Sequence, residues 1–276
     1  MLRVKGAFIA DPFLRWAGSK RAHLTQLQAC MPSTYGRYFE PFLGAGSLFF
    51  RLEPSDAVLG DQLEPLISTY LGVRSNPALV YEAFSSWPVN RESYYEVRAL
   101  TPTDEAVRAA QFIYLNKTAW NGLYRVNRSG GFNVPFGMPK SANIVPMDTL
   151  IAASKALSSA NISVGDFEVT LSEAGAGDFV FVDPPYVTAH NNNGFVQYNE
   201  KLFSWDDQVR LATLCSELAR RGAHILVTNA AHPAIRDLYS DFYESEISRY
   251  STLAGNPVNR KKVTELIFST TKPASD

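Results

Sequence analysis

The apolar and polar positions of the chain follow two alternating patterns. Short apolar runs predict β-strands, and longer stretches with apolar residues three or four positions apart predict helices. The predicted strands are Arg37–Phe39, Ala57–Gly60, Asp178–Val182, His224–Thr228, Tyr243–Ser248 and Val263–Ser269. The predicted helices outside residues 76–145 are Lys20–Cys30, Glu64–Arg74, Trp205–Arg221 and Ala234–Ser240. Strands that alternate with helices in this way are typical of an α/β fold.

Residues 76–145 have a different pattern. They begin with three helical runs, Pro77–Phe84, Arg91–Leu100 and Asp104–Leu115. From Asn116 to Pro139 the sequence becomes rich in glycine, asparagine and arginine, and no apolar run of strand type occurs. We therefore predict a mainly helical domain at 76–145, inserted into an α/β domain formed by 1–75 and 146–276.

The charges of the chain are segregated. Of the 276 residues, 46% are hydrophobic and 19% are charged, which is enough apolar material for a buried core. The formal net charge is only −1. However, the stretches 1–39, 106–147 and 247–264 together carry a net charge of +14, so the rest of the chain carries −15. This distribution predicts a basic face that meets a polyanion.

Composition and spacing disfavour several other classes of protein. Cys30 and Cys215 cannot form a disulfide framework, which indicates reduced thiols in a cytoplasmic protein. The four histidines lack the spacing of metal ligands, so we expect no metal site. Neither a signal peptide nor an apolar run long enough to span a membrane is expected from the pattern.

A glycine-rich segment follows the first predicted strand. It reads Glu40-Pro-Phe-Leu-Gly-Ala-Gly-Ser47, and glycines at 44 and 46 permit a sharp turn into a helix with the backbone close to a ligand. Phe49 stands where a dinucleotide fingerprint has its third small residue, which disfavours NAD. Asp61 ends the next strand, where nucleoside-binding α/β proteins place the acceptor for ribose hydroxyls. A plain strand-to-helix turn and a surface aspartate remain the alternatives.

A second segment joins a fully apolar strand to an unusual turn. It reads Phe179-Val-Phe-Val-Asp-Pro-Pro-Tyr186, and ligands bind at the carboxyl ends of strands in open α/β sheets. An aspartate and a proline carbonyl can accept both hydrogens of a planar NH2 group, and a tyrosine can stack on the attached ring. The sequence therefore indicates that Asp183, Pro184 and Tyr186 bind an aromatic amine. The alternative, a strand that simply ends in a proline-rich turn, explains the prolines but not the acid and the aromatic residue on either side of them.

These motifs, in this order, resemble the Dam-like N6-adenine DNA methyltransferases (D12 class, alpha group). The resemblance covers nearly the whole chain and rests on Arg15-Trp-Ala-Gly-Ser-Lys20, Glu40–Ser47, Asp61, the block Tyr114–Gly137, Asp183–Tyr186 and Arg260-Lys-Lys-Val-Thr-Glu-Leu266. It implies a Rossmann-like methyltransferase sheet with an inserted, mainly helical DNA-recognition domain. It also implies S-adenosylmethionine as cofactor, no metal, and double-stranded DNA as partner.

The resemblance further implies roles for individual residues. The catalytic residues are expected to be Asp183, Pro184 and Tyr186. The cofactor-binding residues are expected to be Trp16, Lys20, Gly44, Asp61, Asp166, Phe167 and Asp183, although Trp16 can also be a core anchor. The DNA-binding residues are expected to be Trp120, Asn121, Arg125, Asn127, Arg260 and Lys261. Within that set, the resemblance implies that Trp120 fills the space left by an extruded base. It implies that Arg125 hydrogen-bonds to a guanine base. The alternatives for Arg125 are a contact with a DNA phosphate and a contact that braces the domain.

The implied reaction is methyl transfer to N6 of a flipped-out adenine in a short specific site, with GATC as the family default. Met138-Pro139 stands where the family often has a basic residue and a tyrosine, and the asparagine-rich loop Thr188–Gln197 is unusual, so the recognition sequence is left open. The alternatives are an N4-cytosine DNA methyltransferase, a protein or RNA methyltransferase, and a catalytically silent DNA-binding relative. We expect a cytoplasmic, nucleoid-associated monomer that can place more than one copy on a DNA site. Whether it is solitary, phage-borne or paired with a restriction nuclease is left open.

Overall fold

A computed structural model describes residues 10–127, 129–139, 144–186, 203–250 and 262–273. Seven strands form one sheet in the order β3-β2-β1-β4-β5-β7-β6. The strands are β1 Tyr38–Glu40, β2 Ala57–Asp61, β3 Ala160–Val164, β4 Phe179–Val182, β5 His224–Ala230, β6 Tyr243–Tyr250 and β7 Lys262–Ser269. β1 pairs in parallel with β2 and β4, β4 pairs in parallel with β5, and β7 is antiparallel to both β5 and β6. The mostly parallel sheet confirms the predicted α/β, Rossmann-like fold class.

Several of the helices begin at a residue whose side chain caps them. They are α1 Leu24–Ala29, α2 Ser47–Leu52, α3 Glu64–Ser75, α4 Pro77–Ser85, α5 Arg91–Ala99, α6 Glu105–Thr118, α7 Met147–Leu157, α8 Phe167–Leu171, α9 Trp205–Arg220 and α10 Pro233–Leu238, with 3-10 helices at Lys20–His23 and Trp120–Gly122. The side chains of Asn76, Asn90 and Asp104 cap α4, α5 and α6. Ser204 and Asp207 form a capping box at the start of α9.

Three elements were not predicted from the sequence. β3 alternates the buried Ala160 and Ile162 with the polar Asn161 and Ser163, of which Asn161 is exposed and Ser163 half-buried, so it lacks an apolar run. α8 has only five residues, too few to display a helical period. α7 was likewise not predicted, although its buried residues recur at helical spacing.

The chain divides into two compact units. The first unit contains Met1–Ala22, Leu43–Ser55 and Asp61–Gly165, and the second contains His23–Phe42, Asp56–Gly60 and Asp166–Asp276. These bounds differ from the division into 1–75 with 146–276 and 76–145 that the sequence predicts. The sequence-based domain division therefore stays a prediction.

Buried aromatic rings dominate the core of the first unit. Phe13 makes edge-to-face contacts with Phe50 and Tyr70, at centroid distances of 6.1 Å and 5.3 Å. The buried phenols of Tyr94 and Tyr114 donate hydrogen bonds to the carbonyls of Val134 and Pro88. Such rings bury a large apolar area while their hydroxyls keep a hydrogen-bond partner.

The core of the second unit forms where its strands meet α9. Both faces of β4 are buried, as expected for a parallel strand covered on each side. Leu211, Cys215 and Leu218 on one face of α9 belong to the same apolar cluster as Val180 and Val227. The packing fixes these strands, and so it fixes the loops at their carboxyl ends.

A close approach at Gly60 provides a test of the second unit's packing. A Cβ at Gly60 would meet the hydroxyl of Thr170 and lie only 3.0 Å from the Thr170 Cβ. We expect Gly60→Ala to lower the free energy of unfolding by about 1–3 kcal/mol, because a side chain has no room there. Urea unfolding measures the effect. Gly175→Ala is the matched control, since a Cβ there meets nothing within 4 Å, and equal losses in both variants would contradict the prediction.

Candidate functional site

The Asp-Pro-Pro-Tyr turn, Asp183–Tyr186, begins at the carboxyl end of β4. Val182 lies opposite Val227 in the parallel register of β4 and β5, so Asp183 lies beside Thr228. The hydroxyl of Thr228 donates a hydrogen bond of 2.6 Å to Oδ1 of Asp183. Thr228 is fully buried. The carboxylate therefore has a fixed partner on the neighbouring strand.

The phenol of Tyr186 lies between two carboxyl groups. Its hydroxyl is 3.0 Å from Oε2 of Glu265 on β7 and 3.4 Å from Oδ1 of Asp183. Burial, reinforced by these two acids, raises the pKa of Tyr186 well above its ordinary value. Tyr186 is therefore a neutral aromatic ring that donates a hydrogen bond.

A buried amide holds the middle of the turn. Nε2 of Gln208 on α9 donates to the Pro185 carbonyl at 3.1 Å, and Oε1 of Gln208 accepts from Nδ2 of Asn229 at 3.1 Å. The side-chain Oδ1 of Asn229 accepts in turn from the backbone N–H of Ala230. Thr228, Gln208, Asn229 and Glu265 were not predicted as site residues. For Thr228, Asn229 and Glu265 the available signal was a polar residue inside an otherwise apolar strand. Gln208 lies on a helix and gave no such signal.

The glycine turn, Leu43–Ser47, lies in the first unit. Gly44 and Gly46 have φ angles of +47° and +61°, the left-handed region that favours glycine. The N–H of Gly44 donates to Oδ2 of Asp61 at 3.0 Å, and the Gly44 carbonyl accepts from the hydroxyl of Tyr70 at 2.7 Å. Both backbone groups of Gly44 are thus held by side chains, and Tyr70 was not among the predicted residues.

Asp61 accepts hydrogen bonds from backbone N–H groups that precede it and follow it in the sequence. Besides Gly44, the N–H of Leu63 donates to its other carboxylate oxygen at 3.0 Å. Burial raises the pKa of Asp61, while the hydrogen bonds from backbone N–H groups act in the opposite direction. A carboxylate has about four acceptor positions, so a structural role for Asp61 is compatible with a ribose contact.

The N-terminal segment lies against the glycine turn. A Cβ on Gly44 would come within 2.8 Å of the Trp16 indole, so only glycine allows this approach. Trp16 is half-buried and stacks on Phe112 and Tyr124 at centroid distances of 6.4 Å and 6.3 Å. Lys20 is buried, and its Nζ donates to the Gly18 carbonyl at 2.9 Å. Trp16 and Gly44, which the sequence predicts to bind the cofactor, therefore lie close together.

Asp166 and Phe167 belong to the second unit and are engaged by Arg210. Asp166 caps α8 through the Glu168 N–H, and its Oδ2 accepts from Arg210 at 2.8 Å. The Arg210 guanidinium carbon also lies 4.5 Å from the centroid of the buried Phe167 ring. Phe42 packs on that ring at 5.8 Å. A ligand that stacks on Phe167 must therefore displace one of these neighbours.

The loop after α6 carries the predicted DNA-binding residues of the first unit. Trp120 is 39% exposed, and its backbone N–H is anchored on the Pro135 carbonyl. Asn121 is exposed, with a φ of +55° that is uncommon outside glycine. The pair Val126 and Phe132 closes an antiparallel bridge. The loop thus displays a large aromatic side chain on a fixed backbone.

Arg125 and Asn127 differ in how they are used. Arg125 is exposed, and its Nε donates to Oδ1 of Asn133 at 2.8 Å, which orients the guanidinium. The side-chain Oδ1 of Asn127 accepts from the N–H groups of Ser129 and Gly131, so it holds the turn of the hairpin. Asn133 was not predicted as a site residue.

The buried amide of Asn116 connects two parts of the first unit. Its Oδ1 accepts from the N–H of Arg15 at 2.8 Å, and its Nδ2 donates to the Arg15 carbonyl at 2.7 Å and to the Gly122 carbonyl at 3.3 Å. Arg15 precedes Trp16, and Gly122 lies between Trp120 and Arg125. One side chain therefore positions both segments.

Two predicted features lie outside the described residues: the DNA-binding pair Arg260 and Lys261, and the loop Thr188–Gln197. Within the described ranges, no group of three or more His, Cys, Asp or Glu side chains could hold a metal ion. No described helix is long and apolar enough to cross a membrane.

Comparison with known proteins identifies the family. The sequence model of the D12 class N6 adenine-specific DNA methyltransferases matches residues 16–253. The chain belongs to this family. Its relatives include the type II methyltransferase M1.LlaDCHI of Lactococcus lactis subsp. cremoris, which is 36% identical over 94% of each chain.

Two other relatives match over most of their length. The type II methyltransferase M.MjaIII of Methanocaldococcus jannaschii is 36% identical, over 84% of this chain and 88% of the relative. The DNA adenine methylase of Vibrio cholerae is 32% identical, over 92% and 94%. The resemblance seen in the sequence is confirmed, and the D12 protein is an enzyme of the adenine-specific DNA methyltransferase type.

A cluster of cations lies at the end of α6 in this D12 enzyme. Lys117 is in the last turn of α6, and the charges of Arg15 and Arg21 act on it. Burial, followed by the repulsion of these two arginines, lowers the pKa of Lys117 to about 8. An ordinary lysine titrates near pH 10.4, so Lys117 loses its charge earlier.

We expect this shift to appear in the pH dependence of stability. Between about pH 8 and about pH 10 the unfolded chain binds more protons at Lys117 than the folded chain does. The free energy of unfolding of the original chain, relative to that of Lys117→Gln, should therefore rise across this window. Urea unfolding of both proteins at a series of pH values provides the measurement. A difference that is independent of pH would contradict the lowered pKa.

Proposed function

We propose that the protein transfers a methyl group from S-adenosylmethionine to N6 of an adenine in double-stranded DNA. The Asp183–Tyr186 turn is the observation that carries this proposal, because it combines a carboxylate, proline carbonyls and a neutral phenol at the carboxyl end of a buried strand. Membership of the D12 class supports it.

The acceptors of the turn suit an aromatic amine. The lone pair of adenine N6 is delocalised into the purine, so the nitrogen is a weak nucleophile. The Asp183 carboxylate and the Pro184 carbonyl each accept a hydrogen bond from one of the two N–H groups of the amine. This arrangement favours a pyramidal nitrogen whose lone pair points towards the methyl group. Gln208 already donates to the Pro185 carbonyl, which leaves the Pro184 carbonyl as the better candidate for the amine. The turn acts by position and electrostatics, without a covalent enzyme intermediate.

Access to N6 requires the base to leave the duplex, at a cost of a few kcal/mol. Tyr186, a neutral aromatic ring, stacks on the extruded adenine. Trp120 fills the space that the base leaves, a role that its exposed side chain on an anchored backbone supports. Asn121, Asn127, Arg260 and Lys261 add further DNA contacts, and GATC is the site that we assign by default.

The glycine turn fits a nucleoside ligand. A Cβ at Gly44 would fill the space beside Trp16, and Asp61 retains acceptor positions suited to ribose hydroxyls. The residues that would hold the cofactor are Trp16, Lys20, Gly44, Asp61, Asp166, Phe167 and Asp183. When bound, S-adenosylmethionine supplies an activated methyl group on a sulfonium. Asp166 and Phe167 can bind the cofactor only if the Arg210 side chain moves away from them. No metal enters the reaction, and we assign the protein to the cytoplasm and nucleoid.

Removal of the Asp183 carboxylate tests the proposed chemistry. We expect Asp183→Ala to lower methyl transfer by at least about 100-fold, because the amine loses its charged acceptor. The assay incubates protein, labelled S-adenosylmethionine and unmethylated duplex DNA, and identifies the methylated base by mass spectrometry. Asp237→Ala, which removes an exposed carboxylate on α10, is the control.

Three results would overturn the proposal. The original chain could leave adenine unmethylated, methylate cytosine N4 instead, or transfer methyl groups equally well without Asp183. Retained binding of both duplex DNA and S-adenosylmethionine by Asp183→Ala would show that the loss lies in the chemical step.

Replacement of Arg125 tests the sequence reader. A guanidinium matches O6 and N7 of guanine, which is worth about 1–3 kcal/mol of discrimination. We expect Arg125→Ala to lower activity on the preferred site by about 10- to 100-fold and to relax the preference at one base pair, the guanine beside the adenine. Activity is measured on the site and on each single-base change of it.

The control for Arg125 is Arg221→Ala, an exposed arginine outside the three basic stretches. It should leave both the rate and the preference unchanged. An equal loss on every DNA sequence in Arg125→Ala would instead assign Arg125 to the phosphate backbone.

A further inference from the structure

Three buried side chains outside the Asp-Pro-Pro-Tyr motif contact it from three different elements. They are Thr228 on β5, Gln208 on α9 and Glu265 on β7, which we call the positioning set. We propose that the positioning set holds the catalytic turn in its reactive geometry, with Thr228 acting on Asp183, Gln208 on Pro185 and Glu265 on Tyr186. This inference rests on the proposed function of the turn.

Thr228 interrupts an apolar strand. Ile225–Val227 are buried and apolar, and a valine at 228 would have nearly the shape of threonine. A buried hydroxyl at such a position requires a hydrogen-bond partner, and that partner is the Asp183 carboxylate at 2.6 Å. A hydrogen bond to a charged group is short and directional. The Thr228 hydroxyl therefore sets the rotation of the carboxylate that accepts the amine.

Gln208 compensates for a deficiency of the turn itself. Pro184 and Pro185 have no N–H group, so the turn cannot be held by backbone donors at these positions. The Gln208 amide donates to the Pro185 carbonyl instead, at 3.1 Å. Asn229 donates to the other end of that amide, and its own oxygen is fixed by the Ala230 N–H. The amide consequently has one favoured orientation, which keeps its N–H on the turn.

Glu265 decides where the Tyr186 proton points. The phenol has one proton to donate, and Glu265 is the nearer acceptor at 3.0 Å against 3.4 Å for Asp183. With Glu265 in place, the phenol donates away from Asp183, so that it does not compete with the substrate amine. The same hydrogen bond fixes the tilt of the ring that stacks on the base.

Each member of the set acts through another residue, so its loss should change the rate of the chemical step more than binding. We expect Thr228→Val to lower kcat by about 10- to 100-fold, the range for a lost hydrogen bond to a charged group. KM for DNA and for cofactor should stay within about twofold, as for an interaction realised in the transition state. Thr228→Ser, which restores the hydroxyl, should recover most of the rate.

The matched control is Thr69→Val. Thr69 is also buried, but its hydroxyl donates to the Pro65 carbonyl of its own helix, α3, and not to a residue of the turn. The variant Thr69→Val removes the same hydroxyl group from a buried threonine. It should leave kcat within about twofold of the value for the original chain. Thermal unfolding of each variant verifies that it is folded.

Several outcomes would overturn the inference. They are an unchanged kcat in Thr228→Val, a serine variant no better than the valine variant, or a loss confined to KM. If Thr228→Val does not fold, Gln208→Met takes its place under the same criteria. A failure of the original chain to methylate adenine overturns the proposed function and this inference together. Adenine methylation with an unaffected Thr228→Val overturns the inference alone.

Discussion

The parallel register between β4 and β5 is the constraint on which the geometry of the Asp-Pro-Pro-Tyr turn depends. Val182 lies opposite Val227, so the next residues, Asp183 and Thr228, lie side by side. A shift of one residue would move the Thr228 side chain to the other face of the sheet, away from the carboxylate. Buried apolar residues on both strands fix this register. Core packing and the geometry of the turn therefore have one physical cause.

Local chemistry explains how much of the fold could be predicted from the sequence. Strands with continuous apolar runs, such as β4, and helices with a capping residue, such as Asp104 before α6, carry their own signal. The missed elements have weak local signals. In β3, apolar residues alternate with polar ones. α8 has only five residues, and Asp166, the residue that caps it, also binds Arg210. The glycine turn and Asp183–Tyr186 were predicted because their unusual residues are contiguous.

The rest of the candidate site could not be predicted because its partners are distant in sequence. Gln208, Thr228 and Glu265 contact the turn across 23, 45 and 79 residues. Tyr70 reaches Gly44 across 26 residues. Each is a polar residue whose partner depends on the tertiary fold, and the local pattern shows only that a partner is needed. Their contacts turn a motif into a defined geometry.

The Asn116 amide imitates a peptide group, since it pairs with both the N–H and the carbonyl of Arg15 and also holds the Gly122 carbonyl. This limits where the loop after α6 can be cut and replaced. A graft with boundaries at residues 123 and 135 leaves that joint intact and replaces Arg125 together with its partner Asn133. A graft that begins between 116 and 122 separates the amide from the carbonyl it holds, and the new loop then loses its fixed orientation on α6.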